Sequence, residues 1–218
     1  MRVPQSIGEK GSLKWVQKML AQSPNALETA VRTELAISPN STIDWTSPRA
    51  DDRHAEYRDA DFLEKLGLER FADDLRGFWP TRGPQWDALG LASDGKVILV
   101  EAKAHVNEMT SSCDAGERSR EIIDQSLQLA KEHYGAEESA DWASGYYQYA
   151  NRLAHLDFLR QRGVDAHLVF IYVLNDRDMR GPSSAAGWAD VIDDCYTKLG
   201  LKNDHSIDGV HSIFIDVA

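Results

Sequence analysis

Cysteine is nearly absent from this sequence: Cys113 and Cys195 are the two present among 218 residues, and neither sits in a CxxC pattern. That argues against a disulfide framework and against a structural zinc site built on paired cysteines. A reducing cytoplasm is the expected compartment. No apolar run reaches the roughly 18 to 20 residues that cross a bilayer; the most apolar stretch, residues 167–174, has the length of a strand. Residues 1–15 (MRVPQSIGEKGSLKW) hold no apolar core of leader length, so no secretory leader is expected. A Gly-rich phosphate loop, a GxSxG elbow and an HExxH helix are missing. Basic surplus is missing too. The chain carries 24 Lys and Arg against 35 Asp and Glu, a formal net charge of −11, whereas proteins that grip nucleic acid by phosphate neutralisation ordinarily show a basic surface. Any basic groove must be local, or supplied by a second copy of the chain or by a protein partner.

Enough apolar residue is present, at 42% with 27% charged, to predict a folded globular protein rather than a disordered one. Residues 11–37 read as two helices, with Leu13, Val16, Gln17 and Leu20, then Leu27, Val31 and Leu35, at helical spacing around a Ser23-Pro24-Asn25 break. Residues 38–52 are rich in Ser, Pro, Thr and Asp and read as an irregular loop. They mark a candidate boundary between an N-terminal helical segment, 1–50, and an α/β domain, 51–218. Residues 59–76 return to helical periodicity, interrupted at Gly67. Residues 86–92 and 97–104 form an expected antiparallel hairpin about Ser93-Asp94-Gly95. A polar loop over 106–116 follows, then helices over 117–134 (Ile122, Leu127, Leu129 and Ala130 packing) and 141–162, the second closed by Gly163. Residues 167–174 suit a central strand covered on both faces, 183–199 a helix and 210–217 a last strand. The order predicts an α/β sandwich around a mixed sheet flanked by helices.

The hairpin holds charges that do not belong in a core. Asp87 interrupts an apolar run, and Glu101 and Lys103 follow Val97-Ile98-Leu99-Val100 directly. Alternation puts Glu101 and Lys103 on one face and Ala102 on the other, while the turn brings Asp87 toward them. Uncompensated burial of such groups costs several kcal/mol per ion. A hard dication held by carboxylates is one remedy, with Lys103 close enough to orient or deprotonate water and to meet a phosphate. The plain alternative is a set of exposed charges paired across an edge hairpin.

Asp87, thirteen intervening residues and then Glu101-Ala102-Lys103 resemble the D-x(n)-ExK signature of the PD-(D/E)XK nuclease superfamily, with Pro84 three residues before the Asp rather than beside it. The resemblance covers roughly residues 59–175. It implies a restriction-endonuclease-like core: a helix (59–76), three antiparallel strands of which the first could only be the short 77–79, the hairpin, a helix (141–162) and a strand (167–174). It further implies Mg2+ or Mn2+ held by Asp87, Glu101 and the Ala102 carbonyl, with Lys103 assisting water. Many members add a Glu from the first core helix; Glu64 is the candidate, with Glu56 and Glu69 as rivals. Gln148, one turn from Arg152, stands where some members carry a Gln motif, though without the usual spacing.

For Glu64 a solvated helix-face charge, and for Gln148, Asn151 and Arg152 ordinary polar helix positions, are the plainer readings. The same holds for His105 in a loop and for Trp142, Tyr146, Tyr147 and Tyr149 at helical spacing. The implied function is metal-dependent phosphodiester hydrolysis of DNA. The alternatives are a non-catalytic nuclease-fold binding or scaffold protein and, more remotely, a hydrolase of small phosphorylated substrates. A nucleic-acid substrate requires local cations, expected from Arg82, Lys103, Arg118, Arg120, Arg152 and Arg160.

Overall fold

A computed structural model describes residues 1–22, 25–202 and 204–218; Ser23 and Pro24 of the expected helix break lie outside the described residues, as does Asn203. In chain order the elements are β1 (Arg2–Val3), α1 (Gly11–Ala21), α2 (Ala26–Glu34), β2 (Ile43–Ser47), β3 (Glu56–Tyr57), α3 (Ala60–Lys65), α4 (Ala72–Phe78), β4 (Ala88–Ala92), β5 (Val97–Lys103), α5 (Glu117–Tyr134), α6 (Tyr147–Arg160), β6 (Ala166–Leu174), α7 (Ala186–Lys198) and β7 (Val210–Asp216). Five strands form one mixed sheet in the order β2-β4-β5-β6-β7, antiparallel from β2 to β5 and parallel from β5 to β7. Strands β1 and β3 form a separate antiparallel pair. The protein is an α/β fold with helices on both faces of a mixed sheet, as the element order predicts.

Each face has its own apolar layer. Val16, Met19, Leu27 and Val31 of α1 and α2 pack on Ile98, Val100, Val169 and Ile171. Leu153 and Leu156 of α6, with Trp188 of α7 and Ile123 and Leu127 of α5, pack on Leu99, Leu168 and Phe170. Covered on both sides, β6 reads as a continuous apolar run rather than an alternation. The β4–β5 hairpin closes through a hydrogen bond from the Gly95 N–H to the Ala92 carbonyl at 2.9 Å, with Gly95 at φ 99°, where a side chain would be strained. Asn25 caps α2, its side-chain oxygen accepting the Glu28 N–H at 3.0 Å.

Several expectations need correction. Residues 38–52 are not merely loop: Ile43–Ser47 is the edge strand β2, hydrogen-bonded to β4. It takes the place expected of residues 77–79, where Phe78 instead ends α4. The division at residue 50 therefore separates nothing in the fold, because the first 50 residues supply an edge of the sheet and the cover of one face. The 59–76 helix is two, α3 and α4, parted where Gly67 takes φ 65° and a short 3-10 turn follows. The helix expected from 141 starts at Tyr147, behind Gly145 at φ 77°. On α5 Leu127 and Ala130 pack as expected, but Ile123 takes the buried position expected of Ile122, and Leu129 is 50% exposed.

Candidate active site

Strand alternation fixes the site. Val97 and Leu99 face α5 and α6, so Glu101 and Lys103 at the end of β5 face them too. Ala102 carries its side chain to the opposite layer with Ile98 and Val100. In backbone direction the roles exchange. The Val97 N–H bonds toward β6, to the Asp165 carbonyl at 2.8 Å, which turns the Ala102 N–H and carbonyl toward the β4 side. There β4 has ended at Ala88, and Asp87 occupies the gap. Its Oδ2 accepts the Ala102 N–H at 2.7 Å while its own N–H bonds the Val100 carbonyl at 3.2 Å.

Glu101 and Lys103 are almost fully buried. Lys103 Nζ donates to Glu101 Oε1 at 2.6 Å and to Gln148 Oε1 at 2.9 Å. Arg152, one turn beyond Gln148 on α6, donates from Nε to Glu101 Oε2 at 2.8 Å. Its terminal nitrogens also bond the Gln85 carbonyl and the Asn151 side chain, each at 2.8 Å, and its guanidinium lies 5.0 Å from the centre of the Trp86 ring. Glu56 of β3 completes the cluster. It is buried and accepts from Gln5 at 3.0 Å and from Gln85. Three carboxylates thus share two cations.

That imbalance shows in their titration. Burial, then repulsion from Glu101 and Glu56, pushes the Asp87 carboxyl well above its ordinary value, against the pull of Lys103 and the Ala102 N–H. Burial, opposed by the Gln85 hydrogen bond and reinforced by Glu101, raises Glu56 to about 7. Burial works against Glu101 as well, yet Arg152 and Lys103 together hold it below the usual carboxylate range. These groups line an open cleft of about 670 Å³ with Arg82, Glu108, Ser111 and Tyr147.

Of the residues singled out in the sequence, Asp87, Glu101, Ala102, Lys103 and Gln148 come together here, with Arg152 and Asn151. Glu64 does not. It is exposed on α3 and lines a different depression with Arg2, Asp52 and Lys65. Glu69 is exposed as well, and the rival Glu56 is the acidic residue that reaches the site. Gln85 escaped notice, although its position two residues before Asp87 was a signal. His105 pairs with Glu108 at 3.4 Å. Tyr149 stacks on Phe170 at 4.1 Å in the core, and Trp142 and Tyr146 are buried likewise. Arg118, Arg120 and Arg160 do not line the cleft: Arg120 pairs with Asp124 and Arg160 with Asp208.

A search for relatives returns no matching family model, no matching curated protein and no matching solved structure. The donor set can still be weighed on its own chemistry. Among the described residues no three His, Cys, Asp or Glu side chains stand together as ready metal ligands. The available set is two carboxylates, Asp87 and Glu101, and the Ala102 carbonyl. All are hard oxygens with a net negative surplus, and this fits Mg2+ or Mn2+ better than a softer ion.

Proposed function

We propose that the chain hydrolyses phosphodiester bonds of nucleic acid, with DNA as the substrate, in a reaction that depends on a divalent cation held by Asp87, Glu101 and the Ala102 carbonyl. One observation carries the reading: three carboxylates crowd around two cations at the rim of a cleft, and a bound dication would relieve their mutual repulsion. The strand order supports it. In the sheet, β2, β4 and β5 run antiparallel and β6 parallel to β5, an arrangement like that of the restriction-endonuclease-like core, with α1 and α2 in the place of its first helix and with β3, α3 and α4 inserted between β2 and β4.

The cation, Mg2+ or Mn2+, would supply Lewis-acid stabilisation of charge on the scissile phosphate. Lys103 spends two of its three N–H groups on Glu101 and Gln148, and the third is available to a phosphate oxygen or to the attacking water. Gln148 fixes the lysine rotamer. Arg152 is a positioning residue that orients Glu101 through its Nε and fastens α6 to the segment leading into Asp87. Arg82, exposed on the cleft wall, can receive the phosphate backbone.

A second reading is a nuclease fold that binds or scaffolds without turnover. It is favoured by Glu101 itself, whose two oxygens are taken by Lys103 and Arg152 at 2.6 and 2.7 Å, so that an internal ion pair already does what a metal would do. The two part in one experiment. Supercoiled, linear and single-stranded DNA are incubated with the purified protein in Mg2+, Mn2+ or EDTA, while Mg2+ binding is followed by calorimetry. Cleavage abolished by EDTA and by Asp87→Asn supports the first reading. Intact DNA together with no heat of Mg2+ binding sinks it and leaves the second.

A further inference from the structure

At the opposite end of the sheet from Lys103, and on its other face, two histidines meet. His167 is the second residue of β6, paired with Ile98 at the start of β5, and His211 is the second residue of β7. His167 Nδ1 lies 3.1 Å from His211 Nε2. Each ring turns its other nitrogen to a carboxylate: His167 Nε2 is 3.1 Å from Asp165 Oδ1, and His211 Nδ1 is 3.4 Å from Glu34 Oε1, at the end of α2. The histidine side chains are 15% and 18% exposed, sheltered but open to an ion from solvent.

The carboxylates decide the tautomers. An ionised carboxylate can only accept, so the nitrogen facing it carries the hydrogen, and a neutral ring then presents a lone pair from its other nitrogen. Both remaining nitrogens are aimed at each other. Two lone pairs 3.1 Å apart repel unless something positive sits between them. We infer that this pair is a site for a borderline transition-metal dication of the Zn2+ class, ligated by His167 Nδ1 and His211 Nε2, with water completing the shell and Asp165 and Glu34 as outer carboxylates.

Geometry and charge agree with this. Two bonds of about 2.0 to 2.1 Å whose nitrogens are that far apart enclose an angle of roughly 100°, close to tetrahedral. A carboxylate behind each ligating histidine orients the ring and raises its basicity, and the two negative charges balance the dication. The neighbouring cation, Arg160, donates to the Ala166 carbonyl at 3.1 Å and carries its charge to Asp208, not to the gap. Imidazole nitrogen does not suit Mg2+, so this site and the acidic cleft select different ions and stand or fall separately.

The chelator-stripped 218-residue chain is titrated with Zn2+ at pH 7.5 against a chromophoric chelator, and the imidazole nitrogens are followed by NMR. One equivalent should bind to wild type and to Asp87→Asn alike. Affinity should fall at least about tenfold in His167→Gln and His211→Gln, and about 10- to 100-fold in Asp165→Asn. Zn2+ should move the ring signals of both histidines in the wild-type protein, a readout that needs no variant to fold. Binding that survives His211→Gln overturns the assignment. So do ring signals that respond to pH and not to Zn2+, which would give the gap to a shared proton.

Discussion

Glu101 is where the charges of the cleft are balanced, and its neighbours respond differently to removal. Arg152→Ala takes away one of two partners from a buried carboxylate and frees the Gln85 carbonyl, so it should destabilise the fold by about 3 kcal/mol or more in urea unfolding. Asp87→Asn does the reverse. The amide oxygen can still accept the Ala102 N–H, and one of three crowded negative charges disappears. Stability in metal-free buffer should stay level or rise while cleavage and the thermal shift with Mg2+ are lost; a large loss of stability would make Asp87 a structural residue instead. Glu56 adds a pH dependence. Its folded-state value of about 7 lies above the ordinary 4.5, so between those values the folded protein holds a proton that the unfolded chain has released. That contribution is intact below about pH 4.5 and lost as pH rises through 7. Glu56→Gln in EDTA should therefore melt higher than wild type at pH 8 and near parity at pH 5; equal melting at both would remove Glu56 from the buried cluster. Asp87, Glu101 and Lys103 were legible in the sequence because each interrupts or ends an apolar run. Glu56 could be named as no more than a rival to Glu64, since a two-residue strand has no periodicity and its partners Gln5 and Gln85 are distant in the chain.

At the scale of elements, legibility followed burial. β6 and the β4–β5 hairpin could be read because apolar runs and a turn glycine leave little choice. β2 could not. Its residues are partly exposed at the sheet edge, its composition is that of a loop, and its cross-strand neighbour is a glycine. A Cβ on Gly90 would stand 3.2 Å from the Trp45 ring, so this pairing rests on an absent side chain that no pattern announces. The segment after β6 closes on the site by a similar approach. A Cβ on Gly181 would fall 2.2 Å from the Ala104 carbonyl oxygen, a clash with backbone that no rotamer relieves. Gly181→Ala should push that segment off the end of β5, costing about 1 to 3 kcal/mol and slowing any cleavage through Lys103. If stability and the Mg2+ response both match wild type, the approach has no bearing on the site.

Across the whole molecule the net charge of −11 sets the terms on which nucleic acid can approach. Physiological salt confines the acidic surplus to a range of about 8 Å, so contact depends on the cations within the cleft. Of the six basic residues expected there, Lys103 and Arg152 are committed to Glu101, and Arg118, Arg120 and Arg160 lie elsewhere. Arg82 is left as the exposed cation of the wall. One or two phosphate contacts give a slope of about −1 to −2 in log affinity against log salt, far shallower than a basic groove would give. Lys103→Ala protein in Ca2+, titrated with duplex DNA from low to physiological salt, should bind weakly with that slope, and adding Arg82→Ala should remove about one unit of it. A much steeper slope would place phosphate contacts outside the cleft. Undetectable binding at the lowest salt would mean that the chain lacks a DNA-facing surface of its own, and would turn the reading toward a partner that supplies one or toward a fold without turnover.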